Sequence, residues 1–248
     1  VSTEAKKNGG KNETVRVLFQ ALLIALFIRT ILFQPFNIPS GSMKETLLIG
    51  DYLFVSKYSY GYSRFSLPLS PNLFSGRILA SDPVRGDVVV FRNPRQEDTD
   101  FIKRIIGLPG DRIQMIDGVL QINGEAVPRE RIEDFVSEEP DGRKVAIPRY
   151  RETLPNGVSY TTLDMVENGF YDNTKVYVVP AGHYFMMGDN RDNSTDSRVE
   201  SAVGPVPFDN LIGRAEIIFF SLEEGKSAWQ IWQWPWTVRW ERIFKLVR

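Results

Sequence analysis

The 248-residue chain is 42% hydrophobic, enough for a packed core, and its 30 basic and 31 acidic side chains leave a formal net charge of -1. That balance offers no basic footprint for nucleic acid. Cysteine is absent and histidine occurs once, which excludes disulfide scaffolds, thiolate zinc sites, cysteine nucleophiles and multi-histidine metal centres.

Residues 1–14 read as a polar tail in which Lys6, Lys7 and Lys11, with Arg16 just beyond, outnumber Glu4 and Glu13. From Val15 to Phe33 the sequence is "VRVLFQALLIALFIRTILF", which as a helix covers about 28 Å, close to the hydrocarbon thickness of a bilayer. Residues 15–34 are therefore expected to form one transmembrane helix. Arg16 and Arg29 reach for the headgroups from its two ends, and Pro35 stops it. The positive-inside tendency keeps the tail cytoplasmic and puts everything after residue 36 across the membrane. A cleaved signal peptide satisfies the same pattern. A soluble core helix fits less well, because the apolar residues are not confined to one face.

Immediately after this run, "NIPSGSMKETL" places Ser40 and Ser42 two positions apart. Beyond it, short alternating segments bounded by Gly, Pro and Asp ("DYLFVSKY", "DVVVFR", "FIKRIIG", "RIQMI", "VLQING", "KVYVV", "HYFMMG", "RAEIIFF") predict a mostly β chain. Asp117-Gly118 and Asn123-Gly124 mark tight turns. Residues 35–124 and 175–222 are expected to make one antiparallel β core. Residues 125–174, charged and turn-rich with "EEPDGRK" and "LPNG", read as a smaller β-rich insertion. Residues 223–248 hold all five tryptophans, with Arg239, Arg242, Lys245 and Arg248 on one side of a last helix. That pattern suits a membrane interface and equally a capped core end, with Pro235 interrupting the period.

A serine nucleophile here needs a base. His183, in a strand-like context, reads as structural. A lysine serves only when neutral, and it starts from a pKa of about 10.4, so burial must depress it. Lys44 is nearest in sequence but lies in a polar turn. Lys103 shares a strand face with Phe101 and Ile105, an apolar setting that lowers its pKa; a lysine reaching out of an edge strand is the competing fate. "MGDNRDNSTDSR", residues 187–198, reads as a loop tied by side chain to backbone hydrogen bonds. It lacks the glycine and final Glu of a calcium-binding EF-hand.

"IPSGSM" after a transmembrane run, then "RGDVVVF", "FIKRIIGLPGD" and "GDNRDNSTDSR" in that order, resemble the motif boxes of bacterial type I signal peptidases of the Gram-negative type. These are membrane-bound serine proteases with a Ser/Lys dyad. The resemblance implies Ser42 as nucleophile, Lys103 as general base, and Ser40 with the Ser42 N–H as oxyanion hole. It further implies that Ser194 orients the lysine and that Asp196 and Arg198 form a supporting ion pair. Phe36, Ile38, Pro39, Met43, Leu47, Phe101 and Ile102 would wall pockets for the small residues one and three positions before the cut, giving Ala-x-Ala specificity. The implied protein is a monomer in the bacterial inner membrane, catalytic on the periplasmic side. It needs no cofactor or metal, acts on signal-peptide-bearing precursors and contacts phospholipid.

One position departs from the family pattern. Glu45 stands where the family usually has Pro; it is expected to point outward, and a gain on Glu45→Pro would mark a poorly organised loop. Two other functions compete. Self-cleaving repressors share the Ser/Lys chemistry but act in the cytosol and carry a helix-turn-helix, for which no pattern is found here. A catalytically silent, membrane-tethered β module would tolerate loss of Ser42 and Lys103.

Overall fold

A computed structural model describes residues 4–138 and 143–248, with side chains for 13–137 and 143–248. The first helix, α1 (Glu4–Phe27), continues through a wider π-turn, Ile28–Leu32. Residues Glu13–Leu32 have a mean hydropathy of 2.0 and bury nothing against the rest of the chain. Among the described residues this is one helix long and apolar enough to cross a membrane. It ends slightly before the predicted residue 34, because Leu32 leads directly into strand β1 (Phe33–Asn37). Pro35 thus lies within a strand. It is tolerated there because β1 is the edge of its sheet, where one row of N–H groups needs no partner.

The remaining strands follow in chain order. They are β2 (Asp51–Ser56), β3 (Val88–Arg92), β4 (Asp100–Gly107), β5 (Arg112–Ile116), β6 (Val119–Ile122), β7 (Glu125–Ala126) and β8 (Arg129–Glu138). Then come β9 (Lys144–Thr153), β10 (Ser159–Leu163), β11 (Tyr177–Val178), β12 (His183–Met187), β13 (Val206–Pro207) and β14 (Leu211–Ser221). A curled seven-stranded sheet runs β1-β2-β14-β3-β4-β12-β13, and a second sheet runs β11-β5-β6-β7. All pairs are antiparallel. The chain is mostly β, as its alternation predicts. Asp117-Gly118 joins β5 to β6 with both residues at positive φ, 47° and 73°, the conformation that a two-residue hairpin turn requires.

Within residues 125–174, β8, β9 and β10 make a separate three-stranded sheet in the order β10-β9-β8. "EEPDGRK" falls mostly outside the described residues. "LPNG" closes β9 to β10, with the Leu154 N–H on the Val158 carbonyl at 2.8 Å. The predicted last helix is replaced by short turns and the four-residue α2 (Trp234–Thr237). Pro235 sits in its first turn, and isolated bridges from Val238 and Leu246 lay the tail back along Leu222 and Ile217. Backbone pairing with β14 wins over a short helix that a proline interrupts.

Candidate active site

The chain leaves β1 through Ile38–Ser40 and enters a single 3-10 turn, Gly41–Met43. Met43 and Leu47 are fully buried in one cluster with Ile38, Leu53, Val55, Val90 and Ile218. Burying such side chains stabilises by about 1.5–3 kcal/mol each, so both ends of the turn are pinned and Ser42 is left at a cleft. The turn is closed by the Lys44 N–H on the Gly41 carbonyl (3.0 Å) and the Leu47 N–H on the Met43 carbonyl (2.8 Å).

Strand β4 brings Lys103 to this turn. Its register against β3 (Val89 opposite Lys103, Phe91 opposite Phe101) sets the lysine in the middle of the large sheet. Lys103 is 4% exposed. Its Nζ lies 2.6 Å from Ser42 Oγ and 2.9 Å from the Ile102 carbonyl. Loss of solvation brings its pKa down to about 8, with Asp196 and Asp189 pulling back upward and Arg198 pushing down. The sequence reading that separates Lys103 from Lys44 matches this placement. The Lys44 ammonium donates to the Ser137 hydroxyl at 2.7 Å, on β8.

The 187–198 loop forms the third wall. Burial alone would raise the Asp196 carboxyl, but a two-point pair with Arg198 (2.9 Å at each contact), the Gly188 N–H and the Ser194 hydroxyl hold it below the usual carboxylate range. The Ser194 hydroxyl therefore donates to Asp196 (2.8 Å), while Lys103 bonds to Ser42 and Ile102. Ser40 Oγ lies 3.5 Å from Ser42 Oγ.

Sequence reasoning missed several residues that fix this geometry. The Asn190 backbone N–H donates to the Ser42 carbonyl (3.1 Å), and its side-chain amide donates to the Gly41 carbonyl (2.9 Å). In a trans peptide the Ser42 N–H points opposite to the Gly41 carbonyl, so holding that carbonyl sets the direction of the N–H. Asp189 takes a fully buried two-point pair from Arg104 (2.9 and 2.7 Å) and the Thr46 hydroxyl (2.5 Å). A Cβ on Gly188 would stand 2.5 Å from both the Ser42 carbonyl oxygen and Ser194 Cβ. The Asp/Asn/Ser density of the loop signalled hydrogen bonding, but nothing in it named partners 85 to 149 positions away.

A cleft of about 580 Å³ opens over the serine. Phe36, Ile38, Pro39, Phe101 and Ile102 line it, as does Tyr171, which the sequence did not suggest. Met43 and Leu47 lie behind it in the core. His183 is outside its lining, with Nδ1 2.8 Å from the Ala181 carbonyl. Glu45 does not point outward as expected. Its carboxylate accepts from Arg149 (3.2 Å) and Thr161 (3.0 Å) on β9 and β10. Elsewhere, Asp164, Asp172 and Asp192 converge. Arg129 pairs with Asp164, and backbone N–H groups of Met165, Val166 and Gly169 occupy the other two carboxylates. Burial and the neighbouring carboxylates still hold Asp164 and Asp172 above the usual carboxylate range, and with these internal donors the trio ties its loops together.

A family model described as signal peptidase, peptidase S26, matches residues 11–220. A signal peptidase I of Rickettsia typhi is 43% identical over 264 aligned positions, covering 97% of each chain. One from Rickettsia conorii is 44% identical over 90% of this chain and 88% of its own. A solved signal peptidase I from Enterococcus faecalis is 26% identical, covers 54% of this chain and 97% of that one, and superposes with a TM-score of 0.32. The family, the match to relatives along nearly their whole length and the exposed apolar N-terminal helix agree on a membrane-anchored enzyme, and the chain belongs to the signal peptidase I family of serine peptidases, which remove signal peptides from precursor proteins.

Proposed function

We propose that Ser42 and Lys103 form a catalytic dyad that cleaves exported precursors after Ala-x-Ala type sites. The observation that carries this reading is the 2.6 Å approach of a buried lysine Nζ to a serine Oγ at the floor of the cleft. Neutral Lys103 accepts the Ser42 hydroxyl proton as Oγ attacks the scissile carbonyl. The developing oxyanion takes hydrogen bonds from the Ser42 N–H and the Ser40 hydroxyl, interactions that count most when charge appears in a site shielded from water. The Lys103 ammonium then protonates the leaving amine. In the second half, Lys103 takes a proton from water as its oxygen attacks the acyl-enzyme, then returns that proton to Ser42 Oγ as the acyl group leaves as a carboxylic acid.

Asp196, held by Arg198, holds the Ser194 hydroxyl in the wall of the cleft; Ser194 is proposed to position the amine in the complex with substrate. Phe36, Ile38, Pro39, Phe101 and Ile102 narrow the cleft, and small side chains are preferred by steric exclusion, one extra methylene costing about 1–3 kcal/mol. Met43 and Leu47 support these walls from behind. The lysine-rich tail favours a cytoplasmic N-terminus and a catalytic region on the outer, periplasmic face of the bacterial inner membrane. Exposed Trp229, Trp232, Trp236 and Trp240 support contact of the monomer with phospholipid.

The test is cleavage of an Ala-x-Ala precursor by the detergent-solubilised full chain beside Ser42→Ala and Lys103→Ala. Cleavage after the second Ala, lost in both folded variants, is expected. A folded, lipid-supplied wild type that leaves the precursor intact would overturn the proposal.

A further inference from the structure

A second cavity, of about 500 Å³, lies beside the cleft and shares Asp100 with it. Its wall includes Gln34 of β1, two residues from Phe36 in the cleft wall and so on the same strand face. It also includes Arg29 of the π-turn where the apolar helix ends. Its other cations are Lys57, Arg64 and Arg92, and its acids are Glu97 and Asp100. Both acids are already taken, Glu97 by a two-point pair with Arg64 (3.0 and 2.9 Å) and Asp100 by Arg92 (2.7 Å). Arg29 and Lys57 have no carboxylate at ion-pair distance among the described residues, so the cavity holds two positive groups without a direct partner.

Lys57 is unusually placed for such a group. It is 2% exposed, and its ammonium is tied to the Ser66 carbonyl. Desolvation lowers its pKa to about 8, the nearby Arg29 charge pushes the same way, and Asp100 offsets them only in part. A bound anion would relieve both. The cavity rim is apolar on one side, made by Leu67, Pro68 and Leu69. Leu69 is fully exposed and holds a positive φ of 63°, a conformation unfavourable for a leucine.

We propose that this cavity binds the phosphodiester headgroup of an anionic phospholipid, with Arg29, Lys57, Arg64 and Arg92 around the phosphate and the Leu67–Leu69 lip against the acyl chains. The position argues for lipid over a free anion. Arg29 lies in the last turns of the membrane helix, at the depth where headgroups sit, and the exposed leucine lip suits a hydrocarbon partner better than water. Guanidinium groups match phosphate oxygens through paired N–H donors. A lipid held here would fix the membrane surface against β1, and with it the height of the cleft. This inference rests on the membrane-anchored reading and not on the dyad.

The test is native mass spectrometry of the detergent-solubilised full chain, titrated in parallel with phosphatidylglycerol, phosphatidylcholine and inorganic phosphate. Wild type is expected to retain one phosphatidylglycerol at least tenfold more tightly than phosphatidylcholine. Lys57→Met and Arg64→Gln should each weaken retention at least fivefold with native circular dichroism. Lys57→Met removes a buried charge, and Arg64 is partly exposed, so neither change threatens folding. Equal retention of the two lipids, or undiminished retention in both folded variants, overturns the proposal. Inorganic phosphate binding as tightly as phosphatidylglycerol would overturn the lipid assignment in favour of a free-anion site. Precursor cleavage is not the readout, so failure of the dyad proposal and failure of this one are separable.

Discussion

Glu45 and Arg149 join the Ser42 loop to the three-stranded sheet through a 3.2 Å hydrogen bond, and Glu45 keeps that contact with a φ of 91°. A non-glycine residue in such a conformation costs of order 1–3 kcal/mol and persists only where its surroundings over-determine it. Here the surroundings are Arg149, Thr161 and, one residue earlier, the Lys44 to Ser137 contact. A proline ring fixes φ near about -65°, so the loop follows a different path from one built on proline. Glu45→Pro should therefore lower kcat/KM by at least about tenfold, since small displacements of positioned groups are costly. Glu45→Gln, which keeps the acceptor oxygen, should stay within about threefold. A gain on Glu45→Pro in steady-state cleavage assays would show that the clamp does not organise Ser42.

Lys103 gives a pH signature with a definite sign. Its folded pKa, about 8, lies below its ordinary value of 10.5. The reactive neutral form thus grows as pH rises, and kcat/KM should climb about tenfold per unit below pH 8 and level above it. For stability, the folded chain holds fewer protons than the unfolded chain between the two values. The penalty for burying the charge is complete below pH 8 and fades as pH rises toward 10.5. Lys103→Met should abolish cleavage yet raise stability at pH 7, by up to roughly 3 kcal/mol, and the increment should shrink at pH 10. Denaturant unfolding at both pH values checks this; equal stability at pH 7 would mean that the buried amine carries no such penalty.

Gly188 follows β12 and packs against both Ser42 and Ser194. Since a Cβ there would press on the Ser42 carbonyl and on Ser194, Gly188→Ala must shift one of them. A shift of the Ser42 backbone also disturbs the Asn190 amide bond to the Gly41 carbonyl that sets its N–H. The expected result is a fall in kcat of about a hundredfold with a much smaller change in KM. A KM effect alone would place the strain in the cleft walls instead of at the dyad.

How much of this was legible in the sequence depends on whether the signal was local. Hairpin turns such as Asp117-Gly118, the apolar run at 15–33 and the strand around Lys103 are properties of neighbouring residues and survive in the fold, although that strand is buried on both faces instead of alternating. The burial of Lys103 could be argued from Phe101 and Ile105. Its approach to Ser42 could not, because 61 positions separate them. Glu45 was misjudged for the same reason. Its partners lie more than a hundred residues downstream, on strands β9 and β10, and no local pattern tells a solvated carboxylate from one that meets an arginine across a loop. The C-terminal helix failed because a weak local period lost to backbone pairing with β14.

The inserted sheet is tied to the 188–198 loop by a buried ion pair as well as by Glu45. Arg191 meets Glu152 of β9 at two points, one of them 2.8 Å, and the Tyr160 hydroxyl donates to the same carboxylate at 2.7 Å. Glu152 is completely buried and Arg191 nearly so. Breaking such a pair from one side leaves an uncompensated charge in the interior, a loss of about 3–5 kcal/mol. Replacing both partners with apolar residues removes the charges together and costs far less. Glu152→Leu should thus lower Tm strongly, and the double variant Glu152→Leu, Arg191→Leu should recover much of that loss. Activity need not follow stability. If the pair holds the loop in register for Ser194 and Asp196, the double variant should stay impaired in kcat although refolded. If kcat returns together with Tm, the pair contributes stability alone, and the Asp189 to Arg104 pair carries the positioning of the loop.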